Sequence, residues 1–293
     1  MPNFASESVR SSQATWQKSI MVIQRPIVLV AEDNPVNQRV ADLLLKSLGF
    51  IPRLVDDGTP AVQAYKQERP AIILMDIMMP VMDGFHASRE IRLLEFGLGI
   101  HTPIIACTAL EKTRILEDCI SNGIDDYIGK PFTREILAGK MQRWLQPGKK
   151  HDPIWHTESL GPSARHSGEP FDPRYLKVMY GVEELDEVLE LFLRVTQTLL
   201  AKLDIAIKAE DGTTVSRIAH ELKGSSSSVN AKEIAKLCWK LEENIDNWPE
   251  VLKTYSALAL AFDKVSAFAR KPQIDDPART RHPPAKDYPG LLR

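Results

Sequence analysis

The sequence predicts two folds in succession: a doubly wound α/β domain with a five-stranded parallel sheet over residues 26–146, then an all-α four-helix bundle over residues 171–270. Three observations predict this. Short, continuous apolar runs alternate with stretches of helix-forming composition about five times, the pattern of strands buried on both faces of a parallel sheet and joined by crossover helices. Strand signals stop in the second half of the chain. There a long apolar stripe at helical spacing begins, and three more helical segments follow at short intervals.

In chain order, residues 1–25 are rich in Ser and Gln and are expected to form a flexible leader. "IVLVA" (27–31), "ILMD" (73–76) and "PIIACTA" (103–109) read as buried strands, and "IPRLV" (51–55) and "DDYIG" (125–129) as weaker ones. Helices are expected over 35–48, 58–68, 84–95, 112–121 and 133–146, the first with Val36, Val40, Leu43, Leu44 and Leu48 on one stripe. Residues 147–170 mix Pro, Gly, Ser and His without periodicity and read as a linker. Its 24 residues, if flexible, span about 27 Å. Leu185, Val188, Leu189, Phe192, Val195, Leu199, Leu203 and Ile207 then form one stripe, and further helices are expected near 211–229, 231–246 and 249–270. The Pro-rich tail 271–293 is expected to be disordered.

Hydrophobic residues at 43% and charged residues at 26% fit a soluble globular chain. A net charge of -2 argues against a nucleic-acid partner. Three scattered cysteines (Cys107, Cys119, Cys238) fit reduced thiols and a cytoplasmic location better than a disulfide framework. No apolar run reaches the ~18 residues of a membrane helix, so membrane insertion is not expected. "SIMVIQRPIVLVAE" is interrupted by Gln24, Arg25 and Pro26 and does not read as a signal peptide.

In an open α/β sheet, sites form beyond the carboxyl ends of the strands. The residues there are Glu32-Asp33, Asp76, Thr108 and Lys130-Pro131. Three crowded carboxylates repel one another unless a cation sits among them, and oxygen donors suit Mg²⁺. Lys130 and Thr108 would offer donors to phosphoryl oxygens, which makes phosphoryl transfer onto a carboxylate the matching chemistry. Taken singly, each residue has a blander role. The acidic pair could cap the next helix, although Asn34 and Pro35 suit the cap and first-turn positions better. Thr108 could be a buried filler, Lys130 a solvated lysine, and Met75, Met78, Met79 and Met82 simple packing. A haloacid-dehalogenase phosphatase also uses a strand-end aspartate but wants a second Asp two residues on, where this chain has Met78.

"VLVAEDNPVNQ", "IILMDIMMPVMDG", "IIACTAL" and "DDYIGKPF", in this order, resemble the receiver domain of two-component response regulators over about residues 26–146. The resemblance implies a flavodoxin-like fold and Asp76 as phosphoacceptor. It implies Mg²⁺ held by Asp33, Asp76 and the backbone carbonyl of Met78, with Glu32 helping through water. Thr108 and Lys130 would contact the phosphoryl group, Tyr127 would change exposure on activation, and the Lys130-Pro131 bond would be cis.

A second motif lies in "IAHELKGSSSS" (218–228). At ~100° per residue, Ile218 and Leu222 each lie about 200° from His220, whereas Arg217, Lys223, Gly224 and Ser227 lie within about 60°. His220 is therefore expected on the exposed face, flanked by cations, with space beside it at Gly224. "HELKGSS" and the later "LCWKLEENI" resemble the histidine phosphotransfer (HPt) domain over about residues 171–270, implying that His220 carries a phosphoryl group and that Lys223 and Gly224 serve docking. Where that family often has glycine in "LGA", this chain reads "VNA", and Asn230 can take the left-handed conformation instead. His86, His101, His151, His156, His166 and His282 show no metal-ligand spacing.

The sequence thus reads as a phosphorelay protein, with Asp76 and His220 as phosphoryl carriers, Mg²⁺ as cofactor, and histidine kinases or receiver-domain proteins as partners. No ATP-binding kinase domain, sensor region or DNA-binding motif is visible, so self-phosphorylation from ATP is not expected, while slow self-dephosphorylation of the receiver is. The alternative is a non-catalytic scaffold that binds kinases or receivers. The cognate kinase, the direction of flow and the choice between transfer within and between chains stay open.

Overall fold

The computed structural model describes residues 25–108, 112–146 and 185–269. The expected leader (but for Arg25), linker and tail, and residues 171–184 of the expected second domain, lie outside the described residues. Five parallel strands, β1 (Ile27–Ala31), β2 (Ile51–Val55), β3 (Ile72–Asp76), β4 (Ile104–Thr108) and β5 (Asp126–Gly129), form one sheet in the order β2-β1-β3-β4-β5. Helices α1 (Pro35–Ser47), α2 (Gly58–Glu68), α3 (Gly84–Glu95), α4 (Lys112–Ser121) and α5 (Arg134–Trp144) alternate with the strands. Every residue of β3 and β4 is buried, which is why their sequences run apolar without alternation. β2 lies at the sheet edge, half exposed, where Pro52 is tolerated.

The order reverses between β1 and β3, so the residues that follow these strands open onto one crevice. Register aligns the neighbouring ends: Ala31 pairs with Met75, Asp76 with Cys107, and Thr108 with Gly129. Local chemistry fixes the adjoining helix starts. The Asn34 side chain accepts from the backbone N–H groups of Val36 and Asn37, with Pro35 in the first turn. Asp83 caps α3 through His86 N–H at 2.7 Å.

One face of the sheet packs Leu29, Ile73, Met75 and Ala106 against Ala61, Tyr65, Ala87 and Ile91. The other packs Val28, Val30, Leu74 and Ile105 against Val36, Leu44, Leu137 and Met141. This second core does not end at α1. It continues into the helical domain formed by α6 (Leu185–Lys208), α7 (Gly212–Ser228), α8 (Lys232–Glu243) and α9 (Trp248–Ala269). There Phe192, Leu203, Ile218, Leu222, Ile234, Leu241, Val251 and Leu258 are buried. The α6 stripe departs from expectation at one point: Val195 is half-buried and Thr196 takes the buried position, as 3.6 residues per turn carries the stripe round a long helix. α7 ends at Ser228 with Val229 as its cap, and Asn230 adopts a φ of +59°, the left-handed conformation expected of it.

α1 lies between the sheet and the bundle, packed on α6 and α7. Val40, Ala41, Asp42, Leu43, Leu44 and Leu45 are all buried in consequence. Polar contacts frame this interface. Arg39 Nη2 donates to Glu187 Oε2 at 2.5 Å, Ser228 Oγ to Asn37 Oδ1 at 2.8 Å, and Asn34 Nδ2 to the Glu221 backbone oxygen at 3.3 Å.

Candidate functional site

The carboxylates of Glu32, Asp33 and Asp76 each place an oxygen within 4.8 Å of the others. Lys130 reaches them from the end of β5: its Nζ donates to Glu32 Oε2 at 2.5 Å and to Asp76 Oδ2 at 2.6 Å. The Lys130-Pro131 peptide is cis. Asp76 Oδ1 accepts from the Met78 backbone N–H at 3.2 Å, and Glu32 Oε1 from Asn37 Nδ2 at 2.8 Å. Gly84 permits the turn after β3, because a Cβ there would sit 2.1 Å from the Asp76 backbone oxygen. Thr108 is buried at the end of β4, and its backbone oxygen accepts from Lys130 N–H at 2.8 Å.

The electrostatics are those of a crowded acidic site. Burial pushes the Glu32 carboxyl up to about 7, with Lys130 pulling it down and Asp76 pushing it further up. Burial, then the Asp76 and Glu221 carboxylates, raise Asp33 to about 6. Burial works against the charge of Lys130, but Glu32 and Asp76 outweigh it and hold the ammonium well above its usual range. The donor set is all oxygen, crowded and short of positive charge, which fits a hard divalent cation such as Mg²⁺.

Across a cleft of roughly 1050 Å³ stands His220 on α7. Glu32, Asp33, Asp76, Met78, Thr108 and Lys130 line one wall, and Arg217, His220, Glu221, Gly224 and Glu242 the other. His220 is half-buried with 31% of its side chain exposed, rather than lying open on the surface as the helical angles imply. The reason is Glu242 of α8, whose Oε1 lies 2.8 Å from His220 Nδ1 and whose Oε2 accepts from Lys223 Nζ. Burial raises Glu242, and the bonds from His220 and Lys223 overcome this to leave it below the usual carboxylate range. A Cβ on Gly224 would meet Asn37 Nδ2 of the first domain at 3.5 Å, an ordinary contact. The glycine is one of the points where the two domains come close.

The structure therefore brings Glu32, Asp33, Asp76, Met78, Thr108, Lys130, His220 and Gly224 to one cleft. Lys223 joins them through Glu242. Tyr127 is not part of the cleft lining: it is half-buried on β5, with Lys140 Nζ 5.6 Å from its ring centroid. Sequence reasoning missed Glu242, Asn37 and Glu221. Glu221 adjoins His220, and Asn37 lies in the quoted "EDNPVNQ", but nothing in either stretch indicates what they face. Glu242 lies in the quoted "LCWKLEENI", and only the register of α8 against α7 places it beside the histidine.

Comparison with known proteins agrees with this division. The family described as "Response regulator receiver domain" matches residues 28–142, and the Hpt domain family matches residues 187–268. Histidine kinase 5 of Arabidopsis thaliana is 33% identical over 167 residues, 48% of this chain and 18% of that protein. Sensor protein TorS of Escherichia coli is 28% identical over 241 residues, 79% of this chain and 24% of its own length. This chain thus spans a quarter or less of either relative. Among solved structures, a Pseudomonas aeruginosa sensor histidine kinase receiver domain, described with magnesium in its active site cleft, shares 45% identity, with 41% of this chain and 97% of that one covered at a TM-score of 0.38. With the acidic crevice in the first match and His220 in the second, the chain carries a response regulator receiver domain followed by an Hpt domain.

Proposed function

We propose that the chain is a phosphorelay element in which Asp76 and His220 each carry a phosphoryl group and exchange it across the cleft. The observation that supports this most directly is the placement of both residues on opposite walls of one cleft, with donors around each. Glu242 accepts the Nδ1 proton of His220, which leaves the Nε2 lone pair as the reacting nitrogen. In transfer towards the receiver, an Asp76 carboxylate oxygen attacks the phosphorus of Nε2-phosphohistidine. The P–N bond breaks as the P–O bond forms, and the electron pair returns to Nε2. In the reverse direction Nε2 attacks and the aspartyl oxygen leaves. Lys130 and Thr108 would donate to the phosphoryl oxygens, whose charge spreads during transfer, a role supported by their place in the cleft lining and by the Lys130–Asp76 bond. Lys223 holds Glu242 in place and adds positive charge near His220.

Asp33, Asp76 and the Met78 carbonyl would hold Mg²⁺, with Glu32 acting through water. Bound there, the cation supplies neutralising charge to the carboxylates and oxygen coordination for a phosphoryl group. Histidine kinases and receiver-domain proteins are the partners this chemistry requires.

Labelled acetyl phosphate tests the reading. Wild type is expected to gain acid-labile, base-labile label that depends on Asp76 and disappears with EDTA, and acid-labile, base-stable label that depends on His220. Equal labelling of Asp76→Asn and wild type at the receiver, or no base-stable label from any donor, would refute it.

A further inference from the structure

We propose that Glu221, on the Hpt helix, is an outer-shell group of the receiver's metal site, so that the cation draws the two domains together. The inference rests on the reading of Glu32, Asp33 and Asp76 as a Mg²⁺ site. Two observations carry it. The Glu221 backbone oxygen accepts from Asn34 Nδ2 at 3.3 Å, which fixes residue 221 beside the residue that follows Asp33. Glu221 also lines the same cleft as Glu32, Asp33 and Asp76. Docking therefore delivers a fourth carboxylate to a crowded acidic site.

The charges decide the sign. Glu32, Asp33, Asp76 and Glu221 contribute four negative charges when ionised, and Lys130, bonded to Glu32 and Asp76, contributes one positive charge. On the Hpt side, Arg217 and Lys202 offset Glu221 in part. Without a divalent cation the receiver wall repels Glu221, and with one the repulsion is largely cancelled. The proposal places Glu221 outside the inner coordination set. Glu32, Asp33 and Asp76 form a mutually close set that Glu221 does not join, so a water would bridge it to the cation. A hydrogen-bond path reinforces the coupling: Glu32 Oε1 accepts from Asn37 Nδ2, and Asn37 Oδ1 accepts from Ser228 Oγ of α7, each at 2.8 Å. By linkage, docking must then raise cation affinity by the factor by which the cation favours docking.

The test uses the full chain. Cysteines replace Arg39 and Glu187, which pair across the interface, and are joined by a short bismaleimide; Cys107, Cys119 and Cys238 are buried and stay unreactive. Cross-linking is expected to be several-fold faster in Mg²⁺ than in EDTA. In the added background of Glu221→Gln, which keeps the backbone bond to Asn34, the rate in EDTA rises and the Mg²⁺ effect disappears. Glu221→Asp, which keeps the charge, retains it. Calorimetry of the chain without added cysteines is expected to show Mg²⁺ binding weakened roughly fivefold by Glu221→Gln. The same Mg²⁺ dependence in wild-type and Gln backgrounds, or unchanged affinity, overturns the proposal. No Mg²⁺ binding in either protein overturns the metal-site reading and this inference with it.

Discussion

In the proposed relay Glu242 sets which nitrogen of His220 reacts, because its carboxylate lies 2.8 Å from Nδ1 and leaves Nε2 as the other ring nitrogen. Glu242→Leu is expected to slow phosphoryl uptake at His220 by roughly tenfold or more, the scale of losing a hydrogen bond to a charged partner. Glu242→Gln, which still accepts from Nδ1, retains most of the rate. Imidazole ¹⁵N shifts separate positioning from general damage: only the Leu variant loses the preference for the Nδ1–H tautomer. Glu32 gives a pH prediction. Its folded carboxyl is raised above 4.5 to about 7, so the folded state binds more protons than the unfolded state between those values. Glu32 therefore lowers stability without divalent cations as pH rises from about 4.5 to about 7, by an amount on the order of 3 kcal/mol, and Asp33 adds to the fall. Melting curves in EDTA across this range should show the fall, and Mg²⁺ should reduce it. A melting temperature that rises with pH in EDTA contradicts the assignment. At this scale the sequence displayed Glu32, Asp33, Asp76, Thr108, Lys130 and His220, because each sits at a strand end or on a helix face that periodicity locates. Glu242 was not legible, since its role exists only through the register between two helices.

The elements place these residues through close backbone approaches. Gly84→Ala would set a Cβ 2.1 Å from the Asp76 backbone oxygen, so the β3–α3 turn must move. We expect a loss of roughly 1–3 kcal/mol of stability, with weakened Mg²⁺ binding, measurable by melting and calorimetry. Gly224→Ala meets Asn37 only at ordinary contact distance and is expected to leave stability and docking nearly unchanged. The elements themselves were legible. β1, β3 and β4 announced themselves as apolar runs because each is covered on both faces, and Asn34-Pro35 marked the start of α1. What periodicity could not show was the second partner of α1. "ADLLL" is apolar over more than one face, the mark of a helix covered from two sides, and the strand-side stripe alone does not account for it.

At the scale of the whole molecule, the receiver and the Hpt bundle share one hydrophobic cluster through α1, and the cleft between their reactive walls follows from that packing. The sequence named both domains but not their mutual orientation, which depends on scattered polar pairs such as Arg39 with Glu187 and Asn37 with Ser228. These pairs lie 148 and 191 residues apart and carry no local signature. With this orientation, the proposed transfer between Asp76 and His220 would be a reaction within one chain. Wild type loaded on Asp76 with labelled acetyl phosphate, freed of donor and diluted over about a hundredfold range, tests this most directly. The account predicts that base-stable label appears on His220 with the same first-order rate constant at every concentration. A rate that rises in proportion to protein concentration, or label that reaches His220 only from another chain, would contradict it.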